Sequence, residues 1–172
     1  MMIRLMLYAH SEKFRHRMRQ VMTRGFQLRA LTALAFVFLS ITAHAAIERY
    51  SAQLSGSAVV PPNQSAGTGT FAATFDTETM VLSFTLRFQS LSGPATATHI
   101  HGPADKSASA GIVVPFGANN PVSPVTLSVT LTADQAKALQ DNLTYVDVHT
   151  LNYPAGEIRG QIMRKSKTKA KP

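Results

Sequence analysis

No cysteine occurs anywhere in the 172 residues. That excludes disulfides and thiolate metal ligands, so a folded domain here must rest on its apolar core alone, and its stability should be indifferent to reductant. A basic groove is also missing, although the formal net charge is +8. Residues 1–45 carry seven Lys/Arg against one Glu, and 164–172 carry five Lys/Arg and no acid. The five basic and eight acidic residues left for 46–163 sum to −3. The positive charge therefore belongs to the two ends, and nucleic-acid binding by the folded middle is not expected. A G-x-S-x-G nucleophile elbow is absent, and GTGTF (Gly67–Phe71) lacks the Lys-Ser/Thr and helix of a phosphate loop.

The one long apolar run is LTALAFVFLSITAHA, behind Arg24 and Arg29 and ending in Ala43-His44-Ala45. This reads as an export signal cleaved after Ala45, too short for a comfortable membrane span. A start at Met18 or Met22 would give it ordinary length, so the first methionine lies upstream of the expected one. The expected organisation is a signal peptide over 1–45, a domain over 46–163 and a basic, disordered tail over 164–172. The product would be secreted or periplasmic, without a transmembrane span in its mature form, and its tail is a candidate for contact with an anionic surface.

Period-two alternation dominates after Tyr50. Strands are predicted at Tyr50–Ser55, Thr70–Phe75, Met80–Phe88, Thr96–His101, Ile112–Phe116, Val125–Leu131, Tyr145–Thr150 and Glu157–Met163, separated by turn-rich segments such as VVPPNQSAGTG and GANNPVSP. In the third, Leu82, Phe84, Leu86 and Phe88 share one face. One helix is expected in LTADQAKALQDN, where Thr132 and Gln135 have the spacing of a capping box. The predicted fold is all-β: an antiparallel Greek-key β-sandwich or barrel of about seven to eight strands with one short helix.

Six histidines are present, and only His99, His101 and His149 lie beyond residue 45. On a strand, His99 and His101 point to one side and Ile100 to the other. Tyr145, Asp147 and His149 oppose Val146 and Val148 in the same way, and Glu157, Arg159 and Gln161 oppose Ile158 and Ile162. The histidines thus fall on polar faces. Two imidazoles roughly 6.5–7 Å apart along a strand can lean onto one ion, and a third from a neighbouring strand completes a three-nitrogen site. Such a set suits Cu(II) or Zn(II), with copper ahead by affinity order and zinc second. Asp147 is the candidate partner for an imidazole N–H, or a further ligand. The alternative is structural: His99 bonding the SGP loop and His149 the LNYPAG turn. Glu157 and Arg159, on one face, are expected to pair with each other.

The segments YSAQLSGSAVVPPNQSAGTGTFAATFD, THIHGPA and YVDVHTLNYPAGEIRGQI together resemble the CHRD domain, the module named after chordin, from about Tyr50 to Ile162. The resemblance implies an extracellular or periplasmic β-rich module and no common biochemical activity. A second, more distant similarity is to copper-zinc superoxide dismutases, whose copper ligands lie on an H-x-H strand and a later V-H strand outside a Greek-key barrel. His99, His101 and His149 match that pattern. Arg159 takes the rough position of the arginine that guides anions to the metal, with superoxide or another small anion as partner. Missing here are the disulfide, the bridging histidine and the zinc cluster. The similarity therefore implies a copper-only site of three imidazoles and superoxide dismutase-like activity, against the alternative of a non-catalytic binding or matrix module.

Overall fold

The computed structural model describes residues 46–116 and 119–166. The expected signal segment and residues 167–172 lie outside them. Among the described residues nine strands form one antiparallel sheet: β1 (Ile47–Ser55), β2 (Thr68–Asp76), β3 (Val81–Gln89), β4 (Ala95–His101), β5 (Ile112–Phe116), β6 (Val125–Thr130), β7 (Tyr145–Thr150), β8 (Ile158–Gln161) and β9 (Met163–Arg164). The order is β5-β4-β7-β8-β1-β2-β3-β6, with β9 beside β1. Consecutive strands pair as hairpins at β1–β2, β2–β3, β4–β5 and β7–β8. The β3-to-β4 and β5-to-β6 connections instead cross between the two ends of the sheet. The sheet curls into a nearly closed barrel, and the Phe84 ring of β3 meets Phe116 of β5 edge-on at 4.7 Å across the core.

Alternation produces this core directly. β2 reads exposed–buried along its whole length, and Leu82, Phe84 and Leu86 of β3 face inward against Phe71 and Phe75. Val146 and Val148 of β7 and Ile158 of β8 are completely buried. Burying aliphatic side chains of this size stabilises by roughly 1.5–3 kcal/mol each, which is how a domain without cross-links holds together. Gly160 is required where β8 approaches β1, because a Cβ there would stand 2.5 Å from the Gln53 carbonyl oxygen.

The helix, α1 (Ala133–Gln140), begins as expected. The Gln135 N–H donates to Thr132 Oγ1 and the Thr132 N–H to Gln135 Oε1. Gln135 Nε2 also donates to the Val113 carbonyl at 2.6 Å, tying the helix to β5.

The first strand starts earlier than its apolar alternation suggests, at Ile47, and brings Glu48 inside. That carboxylate takes the Tyr50 hydroxyl at 2.6 Å and Arg164 at 2.6 Å. Burial first, and Glu48 second, push the Tyr50 hydroxyl above its ordinary value. Ordered pairing accordingly runs past the expected boundary at Met163: Arg164 lies in β9, and the Lys165 N–H donates to the Arg49 carbonyl. Among the described residues no helix is long and apolar enough to cross a membrane.

Candidate metal centre

Strands β4 and β7 are neighbours, and their register sets the site. His101 stands opposite Tyr145, His99 opposite Asp147 and Ala97 opposite His149. All six side chains share the face away from Val146 and Val148. Ala97 leaves room for the His149 ring, which reaches diagonally to His99, with His99 Nδ1 and His149 Nε2 3.1 Å apart. The structure thus brings together all three histidines and Asp147. One ligand atom from each lies within 4.8 Å of all the others. Donors bonded to a single ion at about 2.0–2.1 Å stand about 3.3 Å apart when tetrahedral, so the cluster needs little closure to grip one.

Backbone carbonyls orient two of the rings. A carbonyl oxygen only accepts, so His101 donates through Nδ1 to Ala110 O at 2.9 Å, and His149 through Nδ1 to Pro154 O at 2.9 Å. The expected bond from His149 to the LNYPAG turn therefore exists, and it leaves Nε2 free for chemistry. Both Nε2 atoms then face one carboxylate: His149 Nε2 is 3.1 Å from Asp147 Oδ1, and His101 Nε2 is 3.1 Å from Asp147 Oδ2. Neither His101 Nε2 nor Asp147 Oδ1 has a hydrogen-bond partner, although both are buried. A ring lone pair facing a carboxylate is repulsive unless a proton or a metal cation stands between them.

Burial would raise the Asp147 carboxyl, but His101 and His149 outweigh it and hold it below its ordinary value. Burial lowers His99. It would lower His149 too, yet the hydrogen bond and charge of Asp147 raise that ring above its ordinary value. His99 and His149 form the more open rim, while His101 and Asp147 are buried. The polar face is therefore not the open surface that strand alternation alone implies. The segment from Gly102 to Gly111 folds over it: Ala110 O accepts from both His101 and Tyr145, and the Ala110 N–H donates to the Tyr145 hydroxyl. Gly156, at φ +119°, flanks the other side, where a Cβ would stand 3.8 Å from Asp147 Oδ2 and 4.0 Å from His149 Cε1.

Arg159 sits opposite Asp147 on β8, but it is only 3% exposed. Its guanidinium lies 3.7 Å from the centre of the Tyr145 ring and donates to Asp105 O. The His101 imidazole stacks parallel to that same tyrosine at 4.8 Å. Arg159 does not pair with Glu157, contrary to the expectation from their shared face. Glu157 has 0% exposure and takes four other donors: Ser65 Oγ, Ser92 N, Ser92 Oγ and Thr150 Oγ1, at 2.6–2.7 Å. Burial would raise its pKa, but these bonds hold it below the ordinary value. Tyr145 and Ala110 are the positioning residues that sequence reasoning missed. Tyr145 alone carried a signal, as the aromatic sharing a strand face with Asp147 and His149.

A family model for the CHRD domain matches residues 50–162. Neither a curated protein nor a solved structure matches the chain.

Proposed function

The chain belongs to the CHRD domain family, whose members occur in secreted proteins, and from that premise we propose that it is an exported module that binds one copper ion. The ligands are His99 Nδ1, His101 Nε2 and His149 Nε2, with the Asp147 carboxylate as fourth donor. One observation carries this reading: two imidazoles, each donating through Nδ1 to a backbone carbonyl (Ala110 O and Pro154 O), aim their other ring nitrogens at one buried carboxylate. A cation resolves that conflict, and backbone carbonyls on the far ring nitrogens are the usual support for metal-bound imidazole. Three nitrogens and one oxygen, with no thiolate, suit Cu(II), with Zn(II) second.

A copper ion open to solvent on the His99–His149 side would support superoxide dismutation. Held by His99, His101, His149 and Asp147, copper would supply the one-electron redox chemistry that dismutation needs, with superoxide as both reductant and oxidant. Protein loaded with copper should retain one ion after desalting, and His101→Ala should retain none. Metal content at background after loading overturns the reading. Dismutase activity should follow copper content, and equal activity in the metal-free protein would remove the catalytic part.

The second reading, a non-catalytic extracellular module with structural histidines, draws on the burial of the cluster. With His101 and His149 protonated, Asp147 satisfies both without metal. It requires that replacing all three histidines lower thermal stability while copper uptake is nil in both proteins.

A further inference from the structure

We propose that the cleft between the 57–62 loop and the Lys106–Ser107 turn is a binding site for a small organic acid, held by the guanidinium of Arg159 and the ammonium of Lys106. The cleft has a volume of about 590 Å³, within the roughly 300–1,000 Å³ of small-molecule sites. Its lining contains no acid: Lys106 and Arg159 are its only charged side chains.

Arg159 supplies the observation that points to a ligand. Nη2 is used by the Asp105 carbonyl and one guanidinium face by Tyr145, yet Nη1 is buried with no hydrogen-bond partner among the described residues. An unsatisfied donor on a buried cation is costly, and a carboxylate is the group whose geometry best matches a guanidinium edge. The Asp105 carboxylate does not fill this role: its Oδ1 accepts from Ser107 N and Ser107 Oγ.

Two further features specify the ligand class. Gln161 also lines the cleft. Its Nε2 donates to Ala104 O and Asn142 O, while its Oε1 is buried and unpartnered. That free acceptor calls for a hydroxyl on the ligand. Val59, Val60 and Pro62 form an apolar wall, which favours a short carbon skeleton over a bare inorganic anion. A small hydroxy acid meets all three demands. Lys106 and Ser107 are exposed and lie outside any strand, so the mouth is the part free to admit it. The lining of this cleft contains none of the four candidate metal ligands.

The test is a titration of metal-free, 15N-labelled protein with sodium lactate, followed by NMR and matched against sodium chloride. Saturable shifts are expected at the Arg159 side chain and at the amides of 57–60 and 105–107, with a dissociation constant of about 1 mM. Lys106→Glu, an exposed change that leaves the fold intact, should weaken binding by about tenfold or more. Shifts that fail to saturate, that chloride reproduces, or that survive Lys106→Glu unchanged would overturn the proposal.

Discussion

At the scale of single residues, the most consequential side chain outside the metal cluster is Glu157. Its four short bonds join the 65 loop, the 92 loop and the end of β7 to the start of β8. Glu157→Gln removes the charge from bonds that it strengthens, and should destabilise the domain by on the order of 2 kcal/mol at neutral pH. The pH dependence has a definite sign. The folded pKa lies below the ordinary 4.5, so the stabilisation is complete above that value and is lost as pH falls through the folded pKa. The gap between wild type and Glu157→Gln in denaturant midpoint should therefore narrow below about pH 4. Asp76, Asp105 and Asp147 are also held low, but both proteins share them. A gap that stays constant into acid would refute the assignment. Glu157 was not legible in the sequence because alternation reports which face a side chain takes, not whether loops cover that face. The three histidines were legible for the converse reason: strand parity aligns them whatever covers them.

Elements were read more fully than residues, because period-two alternation and cap chemistry are local. The strands flanking Asp76–Thr79, the two strands carrying the histidines and the helix all stand where their patterns place them. Two local signals misled. Glu48 looks like solvent-facing sequence, yet β1 extends through it because Arg164 and Tyr50 supply distant partners. The basic character of Arg164 and Lys165 suggests a disordered tail, yet both bond to β1. The helix offers the cleanest element-scale test. Thr132 supplies its only side-chain N-cap, and Thr132→Ala should cost about 1 kcal/mol by chemical denaturation. Gln135→Ala should cost more, since it loses both the reciprocal cap bond and the 2.6 Å bond to Val113 O. Equal losses would mean that the bond to β5 contributes nothing.

For the whole molecule, which has no cysteine to cross-link it, metal binding at the proposed site would be a strong external lever on stability. The candidate site joins β4 to β7 directly, and through Ala110 and Pro154 it also holds the 102–111 segment and the turn after β7. Unfolding separates His99 and His101 from Asp147 and His149, so an ion held by all four would favour the folded state. At free copper near a hundred times the dissociation constant, linkage adds about 2.7 kcal/mol. In a domain of this size that corresponds to a rise on the order of 10 °C in Tm. A chelator should reverse the rise, His101→Ala should abolish it, and a reductant that does not bind metal should leave the metal-free Tm where it was. A copper-independent Tm would leave β4 and β7 joined by backbone pairing and the Asp147 cluster alone, and would favour the structural reading of the histidines over the metal-binding one.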